Sequence, residues 1–178
     1  MVAEGTPFRG VLFAGLMIDE GRAQALEFNV RFGDPEVQCL MMRLQSDLLP
    51  TLLAAAQGGL STAAEAARSL EWREQASLGV VMASEGYPGA YEKGTEIRGL
   101  EALDGREDLK VFHAGTAAGE DGSGLVAVGG RVLCVTGLGP SVQAAQLKAY
   151  DGVREIDWPQ GYYRTDIGWR AIAREDPA

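Results

Sequence analysis

The chain has 178 residues, of which 46% are hydrophobic, and its formal net charge is −9 at pH 7. This acidic balance argues against a nucleic-acid partner and against an anionic membrane surface, because both require clustered Lys and Arg. No apolar run has transmembrane length and the first residues lack the pattern of a signal peptide, so we expect a cytoplasmic protein without a membrane partner.

Two paired strands are predicted near the beginning of the chain. Residues 1–10 contain Gly5 and Pro7 and predict a loop, whereas residues 11–18 (VLFAGLMI) are apolar throughout. Such a run is typical of a strand that is covered on both faces. Residues 19–22 (DEGR) predict a hairpin turn, which pairs this strand antiparallel to residues 25–32 and places the second strand in a buried sheet.

The second strand carries a polar row. Its even-numbered residues are apolar, whereas Glu27, Asn29 and Arg31 alternate with them and share the other face. Glu27 and Asn29 offer the hard oxygens that suit Mg²⁺, and Arg31 offers a rigid fork for phosphoryl oxygens. The same row would be ordinary on the wet face of an edge strand. The preceding strand is apolar throughout, which indicates a buried sheet and so favours a binding site over a solvent-exposed polar face.

A turn and a helix follow the polar row. Gly33 gives the turn, Asp34 an N-cap, and Pro35 the first helical position, so that backbone N–H groups point towards the end of the row. The apolar spacing then predicts a helix with its stripe on the sheet, through Val37, Leu40, Met41, Leu44 and Leu48.

Two further helices are predicted before a change to β structure. A cap at residues 46–47 begins a helix that runs to Gln57 and is closed by Gly58 and Gly59. Thr62 and Glu65 have the spacing of a capping box, which predicts a third helix up to about residue 69.

The second half of the chain predicts a mostly β domain. Strands are expected at 76–82, 95–98 and 110–114, a glycine-rich connection at 115–124, and a hairpin formed by 125–128 and 131–136. Ser141 is expected to cap a helix that ends near Glu155, and Asp166 to cap a last helix that ends at Arg174.

The remaining candidate reactive residues favour structural roles. His113 is the one histidine, and its strand context favours a packed, hydrogen-bonded residue over a general base. Cys39 and Cys134 lie in apolar patterns and are expected to be small buried hydrophobes.

Several segments together resemble one enzyme family. They are residues 13–19 (FAGLMID), 26–36 (LEFNVRFGDPE), 77–83 (SLGVVMA), 86–89 (GYPG), 111–116 (VFHAGT), 129–136 (GGRVLCVT) and 164–170 (RTDIGWR). In this order they resemble the phosphoribosylamine–glycine ligases (glycinamide ribonucleotide synthetases), purine-biosynthesis enzymes of the ATP-grasp superfamily. The family's larger N-terminal part has no counterpart here, so the chain is expected to be a C-terminal fragment that needs that part as its partner.

The resemblance implies an α+β fold. Residues 1–70 would be the C-terminal part of an ATP-grasp domain, an antiparallel hairpin with helices, and residues 71–178 a small, mostly β domain with one or two helices. Met1 would then correspond to an internal position of the family. Without its partner, the hairpin is expected to leave strand edges and apolar area exposed.

The resemblance also implies a reaction and a site. The enzyme would join glycine to 5-phosphoribosylamine with ATP as co-substrate and Mg²⁺ or Mn²⁺ as cofactor. Glu27 and Asn29 match the family's metal ligands, and Arg31 would hold the transferring phosphoryl group. Substrate contacts are expected at Gly33, Asp34 and Glu36, although capping alone could explain Asp34.

One departure and two alternatives remain open. Many ATP-grasp enzymes have another carboxylate on the preceding strand, where this chain has residues 14–17 (AGLM). The chain could instead be a non-catalytic module that pairs with a separate N-terminal half, or part of another ATP-grasp carboxylate–amine ligase.

Overall fold

The computed structural model describes residues 1–58, 70–120, 122 and 124–175. The chain folds into two compact units. The first comprises Met1–Val37 and Leu44–Arg73, and the second comprises Gln38–Arg43 and Glu74–Ala178. The predicted α+β class is confirmed, because helices accompany sheets whose strand pairs are all antiparallel.

The first unit contains the predicted hairpin. Strand β1 (Phe13–Asp19) pairs antiparallel with strand β2 (Arg22–Asn29), and Asp19 lies opposite Arg22. The two turn residues, Glu20 and Gly21, have φ values of 48° and 76°. Two positive φ values are the signature of a type I′ turn, whose twist matches that of the strands it joins.

The hairpin is not covered on both faces, so the expectation of a buried sheet is wrong for the described residues. Leu26, Phe28 and Val30 are 65%, 63% and 70% exposed, and Leu16, Met17 and Ile18 of the preceding strand are exposed as well. These two strands form a sheet of their own. A two-stranded sheet cannot bury its own faces, so its apolar side chains stay in solvent unless another element packs on them. The expected exposure of apolar area is confirmed.

The predicted strand at residues 25–32 also differs in detail. The pairing changes from Gly15 opposite Glu27 to Leu16 opposite Ala25, which leaves Leu26 as the extra residue of a β-bulge. The strand then ends at Asn29. The alternation of apolar and polar residues cannot report a bulge, because one inserted residue shifts the register without changing the sequence pattern.

The helices of this region are shorter than their periodicity predicts. Helix α1 (Glu36–Arg43) begins after the cis peptide bond between Asp34 and Pro35 and ends well before Leu48. Leu44 instead forms an isolated antiparallel bridge with Trp72.

The predicted second helix is present. Helix α2 (Leu49–Gln57) has a proline in its first turn and ends at Gly58, which has φ of 76°. The N-cap position is Leu48, which makes no side-chain cap hydrogen bond, so the expected cap at residues 46–47 is displaced by one residue. The carboxylate of Asp47 still accepts a hydrogen bond from the backbone N–H of Leu49 at 2.9 Å. The predicted third helix at 62–69 lies outside the described residues.

The second unit contains a four-stranded and a three-stranded sheet. The four-stranded sheet has the order β5-β8-β3-β9, with β3 (Ala76–Ser84), β5 (Leu109–His113), β8 (Arg131–Gly139) and β9 (Gly161–Tyr163). The three-stranded sheet has the order β4-β7-β6, with β4 (Thr95–Ile97), β6 (Thr116–Ala118) and β7 (Leu125–Ala127). The second unit also contains helices α3 (Val142–Glu155) and α4 (Trp169–Glu175) and a short 3₁₀ helix at Leu100–Leu103.

The predicted hairpin around Gly129 and Gly130 is wrong. Strands β7 and β8 are both present, but β7 pairs with β4 and β6, whereas β8 pairs with β3 and β5. Strand β6 lies within residues 115–124, which were expected to be a connection without strand structure. It pairs with β7 and so occupies an edge of β7 that β8 could otherwise have used. Sequence proximity favours neighbours, but pairing is decided by which strand edges the whole sheet leaves open.

The core of the second unit lies between the four-stranded sheet and helix α3. From Val132 to Gly139 every residue of β8 is buried. The helix approaches so closely that a Cβ at Gly137 would lie 2.5 Å from the carbonyl oxygen of Ala145. On the other face of the sheet, the sulfurs of Cys39 and Cys134 lie 3.4 and 3.0 Å from the Cβ position at Gly79, so α1 packs there.

The two predicted caps of this unit have different outcomes. Ser141 caps α3 as expected, since its side chain accepts a hydrogen bond from the backbone N–H of Ala144 at 3.1 Å. Asp166 does not cap α4, which begins three residues later, after Gly168 with φ of 88°. Its carboxylate is instead held by Arg164. Within the described residues, no helix combines the length and hydropathy that spanning a membrane requires.

Candidate functional site

The predicted metal ligands lie side by side at the end of strand β2. The side-chain amide of Asn29 donates a hydrogen bond to Oε1 of Glu27 at 3.1 Å, so both side chains share one face of the strand as predicted. Glu27 lies over its cross-strand partner, since a Cβ at Gly15 would be 3.1 Å from Cγ and 3.8 Å from Oε1 of Glu27. Gly15 thus gives the carboxylate a place to lie against the neighbouring strand.

Arg31 follows the strand rather than continuing it. It lies two residues beyond the end of β2, is exposed, and donates a hydrogen bond from Nη1 to the carbonyl oxygen of Phe32 at 2.8 Å. This bond uses one of the five N–H donors of a guanidinium. Because Arg31 is exposed, its guanidinium is accessible from solvent.

The turn after Arg31 brings Glu36 back onto Gly33. A Cβ at Gly33, which is buried, would lie 2.4 Å from Oε2 of Glu36 and 3.0 Å from Cε2 of Phe13. Any side chain at this position would displace the Glu36 carboxylate or the ring. The carbonyl oxygen of Gly33 accepts the backbone N–H of Val37 at 3.1 Å, so the turn leads directly into α1. Asp34 is exposed beside it.

The chemistry of the Glu27–Asn29 pair fits a hard divalent cation. A carboxylate and an amide oxygen on adjacent positions of one strand face can meet at one ion, and Mg²⁺ takes few protein ligands besides phosphate oxygens and water. The amide of Asn29 would rotate so that Oδ1 replaces Nδ2 towards Glu27. Among the described residues, no group of three or more His, Cys, Asp and Glu side chains is arranged to hold a metal. If a cation binds here, Glu27 and Asn29 are the two ligands that the described residues offer it.

Two contributors to this region were missed from the sequence. Gly15 and Phe13 belong to β1, yet both contact the predicted site residues Glu27 and Gly33. The signal that could have identified Gly15 is the hairpin register, because it places Gly15 opposite Glu27.

The one histidine is hydrogen-bonded but not packed. Nδ1 of His113 lies 3.0 Å from Oγ1 of Thr116, and the side chain is exposed at the end of β5. The expected hydrogen bond is confirmed and the expected burial is wrong, because β5 is an edge strand of its sheet.

The segment at residues 164–170 forms an ordered loop in the second unit. Arg164 donates from Nε and Nη2 to the two carboxylate oxygens of Asp166 at 2.9 and 2.6 Å. This hydrogen-bonded pairing raises the pKa of Arg164 above its ordinary value and lowers the pKa of Asp166 below its own. Both groups therefore stay charged around neutral pH.

Known proteins match the chain along nearly all of its length. The family model "Phosphoribosylglycinamide synthetase, C domain" matches residues 77–170, and the model for the ATP-grasp (A) domain of the same synthetase matches residues 1–37. A phosphoribosylamine–glycine ligase from Rhizobium meliloti is 58% identical over 175 residues, which are 98% of this chain and 39% of the relative. A chloroplastic ligase of the same name from Arabidopsis thaliana is 51% identical, and the match covers all of this chain and 33% of that relative.

A solved structure gives the same result. The crystal structure of a phosphoribosylamine–glycine ligase from Thermotoga maritima superposes on 93% of this chain with a TM-score of 0.75 and 35% identity, and 38% of that protein is covered. The chain thus spans about 39% of the length of the bacterial relative from Rhizobium meliloti. Since the C-domain model alone covers more than half of its residues, the chain belongs to the phosphoribosylglycinamide synthetase family.

Proposed function

We propose that the chain is the C-terminal part of a phosphoribosylamine–glycine ligase. The observation that supports this most is the continuous similarity, over 98% of the chain, to relatives of that name. Residues 1–70 would complete the ATP-grasp domain and residues 71–178 would form the C-terminal domain. Because the chain spans about 39% of such a relative, the missing N-terminal part of the enzyme is its proposed partner.

The proposed reaction has two steps. A carboxylate oxygen of glycine attacks the γ-phosphorus of ATP, which gives glycyl phosphate and releases ADP. The amine of 5-phosphoribosylamine then attacks the acyl carbon, the C–O bond to phosphate breaks, and glycinamide ribonucleotide and phosphate leave. In such reactions the protein mainly positions the reactants and neutralises charge.

We assign the residues of the first unit to this task. Glu27 and Asn29 would hold Mg²⁺ or Mn²⁺. A cation bound there would neutralise negative charge on the phosphates of ATP. Arg31, which is exposed, would bind the transferring phosphoryl group. Gly33, Asp34 and Glu36 would contact the substrates.

Two other functions are weaker candidates. A non-catalytic module that pairs with a separate N-terminal half would also explain the exposed apolar side chains of the hairpin. Another ATP-grasp carboxylate–amine ligase is disfavoured, because relatives from bacteria and from a plant carry the glycine-ligase name. We also propose a cytoplasmic location, although the plant relative is described as chloroplastic.

The proposal is tested with the chain alone and with a hybrid enzyme. The hybrid joins this chain to the part of the Rhizobium meliloti ligase that precedes the matched segment. We expect the chain alone to release no ADP from Mg·ATP with glycine and 5-phosphoribosylamine. We expect the hybrid to release ADP over many turnovers only when both substrates are present, because the amine is needed to consume the glycyl phosphate. ADP release by the chain alone would contradict the assignment as a part, and an inactive, folded hybrid would contradict the assignment as this ligase.

A further inference from the structure

The two cysteines of the chain meet on one face of the four-stranded sheet. A Cβ at Gly79 would lie 3.0 Å from Sγ of Cys134 and 3.4 Å from Sγ of Cys39. Since both distances start from the same point, the two sulfurs can be no farther apart than the sum of these distances. The two residues are distant in sequence, so it is the packing of helix α1 on the sheet that brings their thiols together.

This contact lies within one compact unit. Cys39 belongs to α1 and Cys134 to β8, and both residues are part of the second unit. Gly79 belongs to β3, which pairs directly with β8. The proximity of the two thiols is therefore a property of the second unit by itself.

Gly79 leaves room for the two sulfurs to approach each other. Its φ lies outside the left-handed region, so the backbone itself would accept a larger residue. The close approach of the two sulfurs is what leaves no room for one. Opposite Gly79, Thr136 places Oγ1 3.5 Å from Sγ of Cys134, where its hydroxyl can donate to a negatively charged sulfur.

The two thiols differ in their access to solvent. Cys134 is 2% exposed, whereas Cys39 is partly exposed. Cys39 also lies in the first turn of α1, and the backbone N–H groups at the start of a helix favour a thiolate over a thiol. A small oxidant in solution therefore reaches Cys39 first, and Cys134 reacts with a sulfur that already lies beside it.

We propose that Cys39 and Cys134 form a reversible disulfide when a peroxide oxidises Cys39. The thiolate of Cys39 attacks one oxygen of hydrogen peroxide, the O–O bond breaks, and the departing hydroxide takes up the thiol proton and leaves as water. The sulfur of Cys134 then attacks the sulfenic sulfur of Cys39. The S–S bond forms, the S–O bond breaks, and the hydroxide leaves as a second water with the proton of Cys134. The two thiols lose two electrons in total, and one peroxide molecule gains them.

The bond ties helix α1 covalently to the inner strand β8. Closing the long segment between the two cysteines lowers the entropy of the unfolded chain, so an unstrained disulfide stabilises the folded state. A reducing compartment keeps both thiols reduced, and a rise in peroxide closes the bond. Transient intracellular disulfides that sense redox state behave in this way.

The test exposes this chain to an equimolar amount of hydrogen peroxide without substrates, so it is independent of the ligase assay. Thiols are counted before and after exposure, and mass spectrometry identifies the cysteine peptides after digestion without reductant. We expect both thiols to be lost, one peptide that joins Cys39 to Cys134, and a melting temperature at least about 5 °C higher. Dithiothreitol should restore both thiols and the original melting temperature. It does not reverse methionine sulfoxide, so this recovery assigns the change to the disulfide.

Three variants test the order of the steps and the role of Gly79. C134S should accumulate an adduct on Cys39 with dimedone, which reacts with sulfenic acids, because the second step has lost its thiol. C39S is the matched control, and its buried Cys134 should be labelled at least tenfold more slowly. G79A keeps both thiols but places a methyl group against both sulfurs, and should form the disulfide at least tenfold more slowly.

Several results would overturn the proposal. In the unmodified chain they are the persistence of both thiols, disulfides between two copies of the chain instead of within one, and a melting temperature that does not rise. These measurements need no variant, so they decide the matter even where a variant does not fold. Equal labelling of C39S and C134S, or an unchanged rate in G79A, would contradict the geometry on which the proposal depends.

Discussion

Glu27→Gln in the hybrid enzyme tests the proposed metal site most directly. The change keeps the shape of the side chain and its Oε1, so the hydrogen bond from Asn29 at 3.1 Å and the packing over Gly15 can both persist. What it removes is the negative charge that attracts a cation. The variant thus separates a metal-binding role from a structural one.

The two roles predict different magnitudes. Glu27 is exposed, so losing its charge should change the free energy of unfolding by no more than about 0.5 kcal/mol. Loss of one major electrostatic contribution to a transition state costs roughly a hundredfold in rate, or about 2.7 kcal/mol. We therefore expect a rate at least about a hundredfold lower, with partial recovery at high Mg²⁺ and an unchanged melting temperature.

The assay is the rate of ADP release as a function of Mg²⁺ concentration. Glu20→Gln is the matched control, because it makes the same charge change in the turn of the same hairpin. We expect the control to follow the curve of the unmodified hybrid. If the Glu27→Gln curve also superimposes on it, Glu27 does not bind the ion and its role is limited to the hydrogen bond with Asn29.

Three further predictions concern the second unit. Asp108→Asn should destabilise the protein by at most about 1 kcal/mol at pH 7, since both side chains of its ion pair with Lys148 are about one-third exposed. Hydrogen bonding to Lys148 lowers the pKa of Asp108. The stability that this ion pair contributes is therefore present above the pKa of Asp108 in the unfolded chain and is lost as the pH falls through its lower pKa in the folded protein. Urea unfolding at pH 7 and pH 3 should show that the stability difference between the unmodified protein and Asp108→Asn shrinks in acid, and an equal difference at both pH values would exclude the ion pair as its source. Gly137→Ala should cost about 1–3 kcal/mol by overpacking against α3, as measured by thermal unfolding, and a neutral effect would mean that the helix can move away. His113→Ala removes one exposed hydrogen bond to Thr116 and should change the hybrid's rate less than tenfold and its unfolding free energy by about 1 kcal/mol or less, whereas a thousandfold rate loss would make His113 catalytic.

Local chemistry was predictable where neighbouring residues decide it. Ser141 caps α3 and Gly58 closes α2 as the residue types indicate. The turn at Glu20 and Gly21 follows from its glycine and from the apolar runs on either side. Each feature depends on backbone φ values or on a hydrogen bond between residues that are close in the chain, so a short window of sequence contains the information.

Part of the candidate site was predictable for the same reason. Glu27 and Asn29 share a face because strand residues two apart point the same way. The end of β2 before Arg31 and the bulge at Leu26 were not predictable from alternation. A bulge is specified by pairing with the opposite strand, and that partner is not visible in the alternating pattern of one strand.

By itself, the sequence determined the type of most elements, the glycine that ends α2, the serine that caps α3, the hairpin turn and, through its motifs, the family of the chain. Only the tertiary structure decided that β7 leaves β8 and joins β4 and β6, and that Asp166 pairs with Arg164 instead of capping α4. These outcomes depend on competition among distant partners: a strand edge or a carboxylate takes the partner that the packed chain brings within hydrogen-bonding distance. The exposure of Leu26, Phe28 and Val30 has the same origin, because an apolar face is buried only when another layer packs against it.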